Sequence, residues 1–128
     1  MGGDGAAASG SGMLSFTGSL KVYVAVEPCD MRKSFEGLSA LTANALKQDV
    51  RSGALFVFSN RPRNRLKILY WDGTGLWVLS KRLERGSYSW PRGEEKSVQL
   101  RPEAFAMLTD GVELHGAKMR PWYDREKE

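Results

Sequence analysis

The segment Asp72-Gly73-Thr74-Gly75 constrains the fold more than any other part of the chain. It is a strong signal for a hairpin turn, because an Asp-Gly pair supplies the backbone angles that tight turns need. The residues on either side, 65–71 and 76–81, alternate in polarity as strands do. With Gly73 and Thr74 at the tip, the turn predicts two cross-strand pairs, Trp71 with Leu76 and Tyr70 with Trp77.

The remaining segments predict a single α+β domain. Further strands are expected at residues 20–26, 54–60, 87–90 and 97–100. A long helix is expected at residues 31–47, with Asp30 as its N-cap, and a short C-terminal helix at 102–109. Because the connections are short, most strands should be antiparallel neighbours. The expected fold is a strongly twisted, mostly antiparallel sheet of about five to six strands with the long helix packed on it.

The two ends of the chain differ in composition from the middle. Residues 1–12 are rich in Gly, Ala and Ser, which is typical of a flexible leader placed ahead of a natural start at Met13. Residues 13–128 are predicted to form the domain, with a flexible tail from about residue 116. The sequence has no secretion signal and no membrane-spanning apolar run, and Cys29 is its one cysteine. We therefore predict a cytoplasmic protein without a membrane partner.

Positive charge is concentrated around the predicted hairpin. The chain carries a net charge of +4, and residues 61–92 contain eight Lys and Arg against two acids. Such a concentration is typical of a surface that contacts a polyanion. The candidate nucleic-acid-binding residues are Arg61, Arg63, Arg65, Lys67, Lys81, Arg82 and Arg85.

Strand geometry predicts how these cations are arranged. Arg65 and Lys67 share one face of their strand, and the hairpin register brings Arg82 beside Arg65. The arginine fork binds two phosphate oxygens at once, so a phosphate-rich ligand suits this patch. The patch would accept DNA, RNA or an acidic protein face. The alternative is that the cations protect an exposed strand from edge-to-edge pairing and bind nothing.

The sequence predicts no enzyme. A metal-dependent nuclease needs two or three converging carboxylates, whereas Asp30 is explained as a helix cap and Asp72 as a turn residue. His115 and Cys29 lie on distant segments and suggest neither a zinc site nor a nucleophile–base pair. We expect no metal, no cofactor and no small-molecule substrate. Trp71 and Trp77 are instead candidate partner-binding residues beside the hairpin turn.

Four segments together resemble a known family: DMRK at residues 30–33, LFVF at 55–58, RLKILYWDGTGL at 65–76 and KRLERGSYSWP at 81–91. In this order they resemble the Orf2 accessory proteins, often labelled TnpB, of the IS66 group of bacterial insertion sequences. The resemblance covers residues 20–111. The matching positions are Asp30, Met31, Arg32, Lys33, Arg65, Lys67, Trp71, Asp72, Gly73, Lys81, Arg82, Leu83, Glu84, Arg85, Gly86, Trp90 and Pro91.

The resemblance implies a role in transposition beside a separate, larger transposase that carries the catalytic acids. It supplies no active site for this chain. The chain departs from the family pattern at Arg101, which replaces the polar cap before the last helix, and its tail matches only loosely. The expected partners are therefore DNA, contacted through the basic hairpin, and the element-encoded transposase. The alternative is an adaptor that binds the transposase without contacting DNA.

Overall fold

The structure, a computed structural model, describes residues 20–110. The predicted leader, the predicted tail and His115 lie outside the described residues. Within these residues, five strands are present: β1 (Val22–Ala25), β2 (Leu55–Ser59), β3 (Arg65–Trp71), β4 (Leu76–Arg82) and β5 (Ser97–Leu100). The same part of the chain forms two α-helices, α1 (Phe35–Asn44) and α2 (Pro102–Asp110), and a 3₁₀ turn at Val50–Ser52. The α+β class is confirmed.

The strands form one sheet in the order β4-β3-β2-β1-β5. β1 and β2 are parallel, and every other neighbouring pair is antiparallel. A parallel pair needs a crossover connection, and residues 26–54, which include α1, provide it. The mostly antiparallel sheet is therefore confirmed, with one parallel pair at its centre.

The sheet is buried on both faces at its centre. All five residues of β2 are buried, as expected for a strand with a near-continuous apolar sequence. On one face, Phe56 and Phe58 pack with Leu38 of α1. On the other face, Leu55 and Val57 pack with residues of α2, including Phe105.

The predicted hairpin is confirmed in position and register. Tyr70 pairs with Trp77, and Trp71 pairs with Leu76. Gly73 adopts φ of 101°, a left-handed conformation that favours glycine. The Asp72 carboxylate accepts hydrogen bonds from the backbone N–H groups of Thr74 (2.8 Å) and Gly75 (3.0 Å) and from Trp77 Nε1 (2.7 Å). These bonds, above all the one from Trp77, hold the pKa of Asp72 well below its usual range.

The predicted long helix is shorter than expected, because Asp30 is not its N-cap. Asp30 Oδ1 accepts a hydrogen bond from Arg32 N (2.9 Å), and its carbonyl accepts one from Lys33 N (3.1 Å), so residues 30–33 form a separate turn. The helix then begins at Phe35, with Ser34 in the cap position. Phe35, the first residue of this helix, is 47% exposed. At the other end, Lys47 has φ of 57° and turns the chain away.

The predicted strand at residues 87–90 is wrong, although its aromatic residues are buried. The backbone here is irregular, and Tyr88 N donates to Arg63 O (2.7 Å) in a neighbouring loop. Trp90 Nε1 donates to Ala25 O (2.9 Å), which anchors the segment at the end of β1. Pro91 has no N–H to give to a strand ladder.

The Asp72 contacts predict a specific pH dependence. The folded-state pKa of Asp72 is depressed, so its stabilisation is complete above the unfolded-state value of about 3.9 and is lost as the pH falls through the folded-state pKa. Asp72→Asn keeps the shape and removes the charge. We expect the wild type to be more stable than Asp72→Asn at neutral pH, with a gap that shrinks below about pH 4. Urea unfolding at a series of pH values measures the gap.

Glu36→Gln is the matched control, since Glu36 is an exposed carboxylate that makes no hydrogen bond to another described residue. Its gap from the wild type should stay small across the same pH range. A gap for Asp72→Asn that stayed constant down to pH 2 would contradict the role assigned to the carboxylate.

Candidate nucleic-acid interface

One end of the sheet collects most of the positive charge. Because β1 and β2 are parallel, the segments that follow them leave from the same end. β3 starts at this end and β4 finishes there, since both are antiparallel to their neighbours. The segments 26–34, 60–67 and 81–97 therefore meet at one end of the fold, which we call the cationic end. Together they carry eleven Lys and Arg and five acids.

Arg65 and Arg82 lie directly opposite each other on β3 and β4. Leu83 N donates to Asn64 O (2.9 Å) in the adjacent pair, so Arg65 and Arg82 occupy a non-hydrogen-bonded position. Cα atoms at such positions are about 4.5 Å apart, the closer of the two cross-strand spacings. Both side chains are exposed, and neither forms an ion pair within residues 20–110. Like charges in this position destabilise a sheet.

Lys67 connects the same strand face to the turn at residues 30–33. Its Nζ donates to the carbonyl of Lys33 (2.7 Å). A Cβ on Gly37 would lie 3.1 Å from the side chain of Lys33, so glycine leaves room for that side chain against α1. Arg32 forms two-pronged hydrogen bonds with Asp30, and its charge is thereby paired. These bonds lower the pKa of Asp30.

A cavity of about 240 Å³ lies where the turn meets the hairpin. We call it the cationic cavity; its walls include Met31, Arg65, Lys67, Ser80 and Arg82. Ser80 lies opposite Lys67 on the next strand, and Met31 is a buried core residue. Lys81 also lines the cavity, but its Nζ is bound to the carbonyl of Thr109. The cavity thus combines the cationic side chains of Arg65, Lys67 and Arg82 and a hydroxyl with an apolar wall.

Arg63 was predicted to bind nucleic acid, but its guanidinium packs inside the protein. Its NH2 group donates to the carbonyl of Val26 (2.7 Å), and its Cζ lies 5.2 Å from the centre of the Trp90 ring. Burial, with Arg61 and Arg92 nearby, lowers its pKa. Arg63 therefore ties the loop before β3 to the end of β1, and its place in the predicted patch is not supported by this geometry.

Lys81 lies on the opposite face of the sheet from Arg65 and Arg82. Its Nζ donates to the carbonyl of Thr109 (2.6 Å), in the last turn of α2. The carbonyl end of a helix carries a partial negative charge, so a lysine there is favourable. Arg61 and Arg85, in contrast, are exposed in loops and have no ion-pair partner among the described residues.

The two tryptophans proposed as a partner surface do not share a face. They are neighbours across the hairpin but lie on opposite sides of the sheet, because Trp77 pairs with Tyr70 and not with Trp71. The guanidinium of Arg51 covers the Trp71 ring at 4.7 Å, and the indole N–H of Trp77 is bound to Asp72. Both rings are half-buried. They stabilise the hairpin tip and form no common patch.

Comparison with known proteins identifies the family. Residues 20–119 match the family model described as IS66 Orf2 like protein, which is more than half of the chain. The chain belongs to the IS66 Orf2-like family. This membership confirms the resemblance and implies an accessory role for an insertion sequence.

Two curated proteins similar to this chain come from Sinorhizobium fredii (strain NBRC 101917 / NGR234). The chain is 34% identical to the uncharacterized protein y4jC over 109 residues, which is 85% of this chain and 93% of that protein. It is 33% identical to the uncharacterized protein y4hO over 101 residues, 79% of this chain and 88% of that protein. No solved structure gives a significant match.

Many residues of the IS66 Orf2-like pattern shape turns and core. Gly73 and Gly86 adopt φ of 101° and 74°. Met31 and Trp90 are buried, and Asp30 organises its turn. Glu84 is exposed and Pro91 half-buried, and no contact in the structure gives either a role in the interface. The pattern therefore includes residues that shape the turns and core around Arg65, Lys67 and Arg82 as well as these cations themselves.

The described residues give no support to catalysis. Between Leu20 and Asp110, no group of three or more His, Cys, Asp or Glu side chains could hold a metal ion. Burial raises the pKa of the Cys29 thiol, which therefore stays protonated near neutral pH. No helix in residues 20–110 is long and apolar enough to cross a membrane.

The sequence did not predict that Lys33, Met31 and Ser80 belong to this site. The signal that was available for Ser80 is the hairpin register, which pairs it with Lys67. The contact between Lys67 and Lys33 joins residues 34 positions apart, and no periodicity in the sequence encodes it.

The geometry of Arg63 predicts a loss of stability on mutation. Arg63→Met keeps part of the apolar stem but removes the hydrogen bond to Val26 and the contact with Trp90. A hydrogen bond to a charged group and a cation–π contact together predict a loss of about 1–3 kcal/mol in the free energy of unfolding. Urea unfolding measures the loss. Arg61→Met, at an exposed position in the same loop, should change stability little. Equal stabilities for the two variants would show that Arg63 does not hold the loop.

Proposed function

We propose that the protein is a transposition accessory factor that binds DNA through the cationic end of its sheet. The observation that carries this proposal is the Arg65–Arg82 pair. Two exposed guanidiniums face each other at the closest cross-strand spacing, with Lys67 next to them and no acid from residues 20–110 paired with either. A polyanion would remove the repulsion that this arrangement creates.

The chemistry of this surface favours phosphates over base edges. Asn60 and Asn64, the two amide side chains nearby, bond to each other and to the loop backbone. The donors at this surface then include the exposed arginines Arg65, Arg82, Arg61 and Arg85 and the remaining hydrogens of the Lys67 ammonium, and arginine forks match phosphate oxygens. Phosphate contacts position a protein on DNA without reading its sequence. We therefore expect affinity for DNA with little base discrimination from this surface.

Family membership supports DNA over RNA or an acidic protein as the ligand. An insertion sequence is a DNA element, so an accessory role for one makes duplex DNA the expected polyanion. The charge distribution fits such a role, because positive residues gather at one end of the fold.

Charge reversal tests the proposal. Arg65→Glu combined with Arg82→Glu should weaken binding to duplex DNA by at least about tenfold and lower the salt slope by about two, since each lost phosphate contact removes about one released counterion. Fluorescence anisotropy at several salt concentrations measures both quantities. Far-ultraviolet circular dichroism and urea unfolding confirm that the variant is folded.

The matched control is Lys21→Glu combined with Lys47→Glu, which changes the net charge equally at exposed positions outside the cationic end. This control should bind DNA within about twofold of the wild type at physiological salt, where distant charges are screened. Equal losses in the two double variants would mean that overall charge, and not this surface, binds DNA. Failure of the wild type to bind at low salt would end the proposal.

The second candidate function is a protein adaptor for the transposase. It is favoured by β4, which within residues 20–110 is an edge strand whose backbone pairs on one side only, and whose residues Leu76 to Leu79 are half-buried. An added strand could pair with such an edge. We expect the protein to capture the transposase even after nuclease treatment. Trp77→Ala should weaken this capture, and Trp77→Phe should not. Full capture by Trp77→Ala would exclude this surface.

A further inference from the structure

We infer that the cationic cavity is a site for one phosphate group of a nucleic-acid strand. The inference rests on the proposed function and makes it more specific, because it replaces a diffuse basic surface with a single defined contact. Its basis is the convergence of Arg65, Arg82 and Lys67 on a cavity that also has a hydroxyl, from Ser80.

The size of the cavity suits a small anionic group. Its volume is about 240 Å³, whereas pockets for whole organic ligands begin at about 300 Å³. A phosphate with part of its sugar is smaller than such ligands. The cavity is also open to solvent, so a phosphate on a continuous strand can enter without threading an end.

The donors in the cavity match a phosphate. Arg65 and Arg82 each offer a planar fork, and their forks are free of ion pairs within residues 20–110. The ammonium of Lys67 has three donors, of which one is bound to the Lys33 carbonyl, so two remain. Charge-assisted bonds of this kind are stronger than neutral ones.

The cavity is held in shape before any ligand arrives. The hairpin register fixes the two arginines, and the bond between Lys67 and Lys33 fixes the turn that forms one wall. Met31, in that turn, is buried in the core beneath α1. A wall anchored in this way lowers the ordering cost of binding. Its apolar surface lowers the local dielectric, which strengthens the attraction between guanidinium and phosphate.

The phosphate has two chemical sources, a phosphodiester within a strand and a phosphomonoester at a 5′ end. The shared chemistry is a tetrahedral oxyanion, and the openness of the cavity accommodates either. The experiment below uses both forms, so that the source is an outcome of the test.

The first test keeps the charge and removes the fork. Arg65→Lys combined with Arg82→Lys should weaken DNA binding on the order of tenfold, because an ammonium does not give the two-pronged contact of a guanidinium. Arg51→Lys combined with Arg101→Lys is the control, with the same substitution at exposed arginines at the other end of the sheet, and should bind within about twofold of the wild type. Anisotropy with a short duplex measures both.

The outcomes separate this inference from the proposed function. If the charge-reversed pair at Arg65 and Arg82 loses binding but the lysine pair binds like the wild type, the surface binds DNA without a defined phosphate site. If both pairs bind like the wild type, the proposed function fails together with this inference. Loss in the lysine pair, with the control unchanged, supports the site.

The second test locates the phosphate directly. Inorganic phosphate should shift the Nε–H resonances of Arg65 and Arg82 in nuclear magnetic resonance spectra and leave those of Arg61 and Arg85 in place. Single methylphosphonate linkages, which are neutral, are then scanned along the duplex. If a methylphosphonate at one position weakens binding more than at any other, the bound group is a phosphodiester. If binding is weakened only when the 5′ phosphate is removed, the bound group is the phosphomonoester at that end. Small, equal losses at every position would overturn the site.

Discussion

The parallel pairing of β1 with β2 decides where the charged segments of this protein lie. β2 is apolar and buried on both faces, so it must lie inside the sheet, and a parallel neighbour requires the crossover that contains α1. The segments that leave β1 and β2 then emerge from the same end. The antiparallel strands β3 and β4 add their own cationic ends at that point. The cationic end thus follows from two things together, the strand order of the sheet and the positions of the cations in the sequence.

The seven candidate nucleic-acid-binding residues divide into two groups by what they bind. Arg63, Lys67 and Lys81 each donate to a backbone carbonyl, of Val26, Lys33 and Thr109 respectively. These bonds join the loop before β3, the turn at residues 30–33 and the end of α2 to the sheet. The second group, Arg65, Arg82, Arg61 and Arg85, makes no such bond within residues 20–110. The first group holds the surface in place, and the second group is available to a ligand.

The hairpin could be predicted from the sequence because the residues that determine it are neighbours in the chain. Asp72 and Gly73 set the turn, and a turn fixes the register of every pair that follows, including Arg65 with Arg82. The predicted first helix was too long because aspartate is favoured both at helix N-caps and in turns. The hydrogen bond from Arg32 N shows that Asp30 lies in a turn, and the sequence does not reveal this bond. The internal contacts of Arg63 were not predicted, for a different reason. Its partners, Val26 and Trp90, are far away in sequence, so composition could not separate a buried arginine from an exposed one.

Edge protection accounts for only part of the charge on the hairpin. A charge protects a sheet when it lies on the edge strand, and here β4 is that strand, so Arg82 is placed to act in this way. Arg65 and Lys67 lie on β3, which is paired with β2 on one side and β4 on the other. No incoming strand can reach β3, and cations there give no protection. Arg65 adds repulsion against Arg82 without that benefit, and a bound anion is the simplest physical reason for the pair.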